Sequence, residues 1–130
     1  MELKETDQKV LAEVKPYMEE LKAMRQGNIA PFQERLANNP ALMKAFVTGY
    51  RLGYNDDFTL PRKVVELIML ALGASQGATT TIKAHSAAAI KAGATLEEVA
   101  DVLRLVFFAC GVTSLIPAAE VFAQLSEPSK

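Results

Sequence analysis

The chain has few of the side chains on which most enzymes depend. Its 130 residues contain one cysteine, one histidine and no tryptophan. A single cysteine excludes a disulfide framework or a thiolate metal cluster within one chain, and it is typical of a reducing compartment. The acidic, polar start at residues 1–7 also lacks the basic and apolar order of a signal peptide. We therefore expect a cytoplasmic protein in which Cys110 acts alone or not at all.

Strong net charge and long apolar runs are also missing. The 14 Lys and Arg nearly balance the 15 Asp and Glu, which argues against a nucleic-acid-binding surface. The most apolar stretches, residues 64–72 and 105–119, are shorter than the ~20 residues of a membrane span. A chain of 130 residues with 50% hydrophobic content is long enough for one core, and we expect a single domain over residues 1–130.

The sequence is rich in alanine, with 20 residues, and its apolar side chains recur at helical spacing. Hairpin signals are absent, so the pattern predicts an all-α fold. We expect Pro16 to kink or split the first helix, Thr59 to cap the fourth, and threonines 79–81 to cap the fifth. Thr95 and Glu98 have the spacing of a capping box. The predicted helices cover residues 10–24, 31–37, 40–54, 61–73, 78–92, 96–110 and 114–125, followed by a frayed tail at 126–130.

The two apolar stretches exceed what a small helical monomer needs. A helix that is apolar on all sides must be covered on all sides, and a chain of this length has few helices with which to do so. The pattern therefore predicts a homo-oligomer that buries the excess. The alternative is a wholly internal central helix.

Glu66 is the first candidate for chemistry. Val64, Val65, Leu67 and Ile68 flank it, so its carboxylate needs a partner or a proton to be buried. Either condition suits acid–base catalysis. The alternative is an ion pair with Arg62, one helical turn earlier.

His85 is the second candidate, and it lies on the inward stripe of its predicted helix among small alanines, which leaves space beside the ring. The alternative is a hydrogen-bonded core histidine. One histidine without paired ligands gives no recognisable metal site. Lys83 is expected on another face of the helix, exposed to solvent. Thr81 either contributes to the helix cap or points its hydroxyl into a cavity.

The stretch from about 59 to 112 resembles the carboxymuconolactone decarboxylase and alkylhydroperoxidase D-like family. In that family a helix opening with Leu-x-Arg carries a glutamate, followed by a Cys-x-x-Cys pair, a histidine, a glycine and a Thr-x-Glu-Glu helix start. Here Arg62, Glu66 and His85 keep the family spacing without gaps, but Ala78 and Thr81 stand where the cysteines would be. Residues 1–58 match only in being helical.

The resemblance implies a helical bundle of about six to seven helices that assembles as a homotrimer or homohexamer. The absent cysteines argue against the peroxidase branch, because peroxide reduction needs an attacking and a resolving thiol. The decarboxylase branch needs neither, and it implies no cofactor and no metal. The resemblance then implies His85 and Glu66 as catalytic residues, with Arg62, Lys83 and Thr81 binding a small anionic substrate. The alternatives are a non-catalytic ligand-binding oligomer and a peroxidase that uses Cys110.

Overall fold

The computed structural model describes residues 7–127, and this part of the chain forms helices without any strand. It divides into two compact units, one ending at Asp57 and the other beginning at Phe58. The expectation of a single domain stays a prediction. The polar start at residues 1–6 and the end of the predicted tail at 128–130 lie outside the described residues. The helices are α1 Gln8–Met24, α2 Pro31–Leu36, α3 Pro40–Gly53, α4 Arg62–Ser75, α5 Thr79–Lys91, α6 Leu96–Cys110 and α7 Leu115–Ser126, with a 3-10 turn at Val112–Ser114.

The all-α prediction is confirmed, and each predicted helix agrees with the observed one to within two residues at both ends. Gly93 follows the end of α5 and adopts a φ of 101°, which residues with a Cβ rarely take. The pattern of apolar residues and caps is local, so it can be read along the chain.

The first unit is formed by α1, α2 and α3 around its own apolar core. Pro16 does not split the first helix, because α1 runs through it without interruption. That part of the prediction is wrong. Proline removes one backbone donor, which leaves the carbonyl of Ala12 without its helical partner. Both residues are exposed, so water can replace the missing bond. The core of this unit consists of Val14, Leu21, Ala37, Met43 and Val47.

The second unit contains α4 to α7, and α4 packs most extensively against α5. Its buried core draws on all four of these helices. Val99, Leu103 and Val106 recur at three- and four-residue spacing along α6 and are buried in this core, so they mark the inward face of that helix. The core consists of Leu70, Ala74, Ile82, Val99, Leu103, Val106, Ala118 and Val121.

The predicted caps of α4 and α5 are wrong. Thr59 does not cap α4, because Pro61 holds the cap position and its carbonyl accepts from the amide of Val64 at 2.9 Å. The three threonines do not cap α5 either, since they lie inside its first turn and Ala78 holds the cap position. The reason is the short turn before α5, in which the amide of Ala78 already bonds to the carbonyl of Gly73 at 2.9 Å.

The capping box of α6 is confirmed. The amide of Glu98 donates to the Thr95 hydroxyl at 3.1 Å, and the Glu98 carboxylate accepts from the Thr95 amide at 2.9 Å. Lys63 of α4 also reaches this carboxylate at 3.0 Å, which connects α4 to the start of α6. The Thr95 amide first, and then Lys63, hold the pKa of Glu98 below its ordinary value of 4.5. Glu98 therefore contributes to the free energy of unfolding at pH values above its ordinary pKa. This contribution is lost as the pH falls through the lowered pKa of the folded chain.

Within residues 7–127 no helix is both long enough and apolar enough to span a lipid bilayer.

Candidate active site

The packing of α4 on α5 brings Glu66 and His85 together. The Nδ1 atom of His85 lies 2.7 Å from Oε2 of Glu66, although the two residues are 19 positions apart in the sequence. Glu66 is 1% exposed, whereas the His85 side chain retains 16% exposure. The pair therefore has one member sealed inside the protein and one at its boundary.

Arg62 completes a row of three charged or ionisable groups. Its Nη2 atom lies 2.8 Å from Oε1 of Glu66, one helical turn along α4. The sequence left open whether Glu66 pairs with Arg62 or serves a site with His85, and the structure shows that one carboxylate does both. A buried carboxylate that bonds a guanidinium through one oxygen and an imidazole through the other has both its charge and its hydrogen bonds compensated.

The contact with Glu66 is made by Nδ1 of His85, which distinguishes that nitrogen from Nε2. A carboxylate accepts hydrogen bonds only, so the proton between the two groups belongs on Nδ1. Nε2 is then the nitrogen through which the ring can exchange a proton with a bound molecule. The arrangement suits a general acid or base that is oriented by a buried carboxylate.

The remaining predicted site residues lie on the same helix as His85. Lys83 is exposed, in agreement with its expected position on another face. Thr81 is half-buried, and its methyl group packs against Gly73 of α4. Ala78, at the first of the two thiol positions, is the residue before α5.

Cys110 lies at the end of α6 and is exposed. It contributes to an apolar groove of about 430 Å³ between α4 and α6, whose lining contains neither Glu66 nor His85. The two apolar stretches of the sequence meet here, which their pattern alone could not show, because the register of two helices is set by tertiary packing. The groove is lined by Val64, Leu67, Ile68, Ala71, Leu72, Ser75, Val102, Leu105, Val106, Ala109 and Cys110.

Metal coordination needs several ligands at one point. Over residues 7–127 there is no group of three or more His, Cys, Asp and Glu side chains placed to hold a metal ion.

Comparison with known proteins agrees with this architecture. A protein of Methanocaldococcus jannaschii described as uncharacterized is 28% identical over 99 residues, which is 76% of this chain and 82% of that protein. The crystal structure of the alkylhydroperoxidase AhpD core from Rhodospirillum rubrum matches with a TM-score of 0.72. The sequence identity is 24%, and the match covers 100% of this chain and 92% of that one. This likeness shows the fold.

The sequence model of the carboxymuconolactone decarboxylase family matches residues 40–124. The match extends beyond the 59–112 stretch at both ends, and it includes α3, which the motif residues alone did not connect to the family. Because it covers well over half of the chain, the protein belongs to the carboxymuconolactone decarboxylase family.

Proposed function

We propose that this protein is a cytoplasmic, cofactor-free decarboxylase that acts on a small carboxylated lactone or ring. The observation that carries the proposal is the 2.7 Å contact between His85 and a Glu66 carboxylate that is 1% exposed. Removal of carbon dioxide needs a proton donor for the carbanion that forms, and an oriented imidazole is suited to that role. Membership of the family supports the same reaction class.

The proposed reaction needs one proton and no electron acceptor. The bond between the ring carbon and its carboxylate breaks, carbon dioxide leaves, and the electron pair remains on the ring as a dienolate. His85, protonated on both nitrogens, gives the Nε2 proton to a carbon of the dienolate. The ring is then neutral again, with its proton on Nδ1, which is its state before the reaction. It takes up the next Nε2 proton from water in the following turnover.

Glu66 orients His85 without touching the substrate, because it is buried and its two oxygens face Arg62 and His85. Its negative charge also stabilises the imidazolium that precedes proton transfer. Arg62, Lys83 and Thr81 stay predictions as substrate-binding residues. The side chains of Arg62 and Lys83 reach solvent, which an anionic substrate would require.

The residues of this chain do not favour peroxidase chemistry, although a protein with this fold, the AhpD core, is described as an alkylhydroperoxidase. A thiol peroxidase of this family needs two cysteines beside the histidine, and Ala78 and Thr81 occupy those positions. Cys110 lies in the groove between α4 and α6, and neither Glu66 nor His85 lines that groove. We therefore place Cys110 outside the proposed chemistry.

The proposal predicts that the purified protein releases carbon dioxide from carboxymuconolactone. In deuterium oxide the product should carry one deuterium at the protonated ring carbon, as measured by mass spectrometry. Cys110→Ser serves as the control and should keep the wild-type rate. Binding of the lactone without turnover would contradict the proposal and favour a non-catalytic ligand-binding protein. Peroxide reduction that Cys110→Ser abolishes would favour a peroxidase.

We also propose that the protein assembles with copies of itself as a homotrimer or homohexamer. The groove between α4 and α6 has no charged residue in its lining, and Leu105 at its edge is 65% exposed. Phe108 and Ile116, in the second apolar stretch, are also largely exposed. Uncharged surface of this extent is uncommon on monomers, and a second copy of the chain would cover it.

Replacing Leu105 by aspartate should therefore reduce the mass of the assembly. A charge at a packed apolar interface is left without solvation, so the assembly should dissociate toward monomers. The mass is measured by size-exclusion chromatography with light scattering. Leu52→Asp is the control, because Leu52 is a leucine of the first unit that is already 75% exposed. A wild-type protein that is monomeric at micromolar concentration would contradict the proposal.

A further inference from the structure

Arg62, Glu66 and His85 form a continuous chain of polar contacts from the first turn of α4 to the middle of α5. Nη2 of Arg62 is 2.8 Å from Oε1 of Glu66, and Oε2 of Glu66 is 2.7 Å from Nδ1 of His85. The middle member is buried, and the outer two have 42% and 16% side-chain exposure. The negative charge of the buried Glu66 must therefore be compensated by positive charge on Arg62 or His85.

A buried carboxylate is stable only if a positive group compensates it. Arg62 and His85 both contact Glu66, and either can carry a positive charge. The guanidinium of Arg62 carries a permanent charge, whereas the imidazole of His85 is positive only when both nitrogens hold a proton. Because Arg62 supplies the charge, His85 can exist as the neutral ring that donates from Nδ1 and leaves Nε2 unprotonated.

We propose that Arg62 is a positioning residue that acts on His85 through Glu66 and sets its protonation state. With Arg62 in place, the imidazolium can lose its Nε2 proton without leaving an uncompensated charge in the interior. Without Arg62, the proton on His85 becomes the compensating charge, and the ring retains it. The consequence for turnover rests on the proposed function, but the consequence for the state of His85 does not.

This role differs from that of an anion anchor, in which Arg62 would bind a carboxylate of the substrate directly. An anchor mainly affects substrate affinity, whereas a positioning residue affects the proton-transfer step. The two roles therefore separate in KM and kcat, and only the positioning role alters the ring nitrogens of His85 when no substrate is present.

The test uses Arg62→Met, which keeps an unbranched apolar stem and removes the charged guanidinium. His85 is the single histidine of the chain, so its two ring nitrogens give unambiguous ¹⁵N NMR signals in the full-length protein. At neutral pH the wild type should show one protonated nitrogen, and Arg62→Met should show two. We expect kcat to fall by roughly 10-fold or more. The loss should be smaller than the ~10²- to 10⁴-fold that a positioned acid contributes, because the acid itself remains. KM should stay within about 2-fold of the wild-type value.

Two further variants make the result decisive. Arg62→Lys keeps the positive charge and should show the single-proton spectrum of the wild type. A difference between Arg62→Lys and Arg62→Met would then be due to the charge and not to a loss of folding. Arg104→Met removes an arginine from an exposed pair with Asp101 on α6 and should change nothing. An unchanged His85 spectrum together with a raised KM in Arg62→Met would overturn the proposal and make Arg62 an anchor. If the spectrum changes as expected but the wild type turns over no lactone, the positioning role stands and the proposed function fails.

Discussion

Replacing His85 by alanine is expected to lower the rate of carbon dioxide release by roughly 10²- to 10⁴-fold, the usual contribution of a positioned general acid. The imidazole is the proposed proton donor, and alanine removes it. The fold should survive, because Glu66 keeps its ion pair with Arg62 at 2.8 Å and the histidine side chain was already partly open to solvent. The rate is measured as carbon dioxide released per active site, with circular dichroism to confirm helical content.

Glu66→Gln provides the graded comparison for His85→Ala. The amide keeps the size of the carboxylate but replaces one acceptor oxygen by a donor NH2 group, so it cannot accept from Arg62 and His85 through two separate oxygens. We expect a smaller loss of rate, together with a loss of roughly 1–3 kcal/mol in the free energy of unfolding, since a buried group loses a partner. Glu120→Gln is the control, because Glu120 is an exposed carboxylate of α7. Full activity in His85→Ala would remove His85 from the mechanism.

Gly73→Ala is expected to cost about 1–3 kcal/mol in the free energy of unfolding, as overpacking in a well-filled interior does. A Cβ at position 73 would lie 2.7 Å from Cγ2 and 2.9 Å from Cβ of Thr81. Atoms of a β-branched side chain in a helix cannot move away easily, because χ1 has few allowed values there. The helices α4 and α5 would have to separate, and they are the two that place Glu66 beside His85. Chemical unfolding measures the loss.

The chain contains a matched control at Gly49, a helical glycine of α3 at which an added Cβ would meet nothing within 4 Å beyond its chain neighbours and the backbone of its own helix. Gly49→Ala should therefore raise the free energy of unfolding, by about 0.5–1 kcal/mol from the gain in helix propensity. In a Thr81→Gly background the cost of Gly73→Ala should shrink, because the two closest atoms are removed. Equal costs in both backgrounds would contradict the close-approach explanation.

The behaviour of Thr81 shows why one residue type can be misread from sequence. Threonine is a good capping residue, and three in a row before an apolar stripe predict a cap. The hydrogen bond from the amide of Ala78 to the carbonyl of Gly73 accompanies a turn that places Ala78, and none of the threonines, at the cap position of α5. Thr81 then serves packing, since its methyl group occupies the space that the absent Cβ of Gly73 leaves.

The two central residues of the candidate site could be named from the sequence, but their geometry could not. Glu66 stands out as a carboxylate in an apolar run and His85 as the single histidine, so both could be named from composition and spacing. An ion pair with Arg62 and a contact with His85 were alternatives in the sequence. The structure shows both at once, because the two carboxylate oxygens point to different helices.

The sequence by itself determined the helices, their ends to within two residues and the family spacing, together with the absence of the cysteine pair that the thiol peroxidase branch uses. These are short-range properties, since helix formation depends on residues three and four apart and on local caps. Only the tertiary structure decided that Gly73 lets α5 approach α4, that Glu66 connects Arg62 to His85, and that two apolar stretches meet in one groove. Those contacts depend on the distance and register between helices, which the packing of the whole core fixes and which no local pattern records.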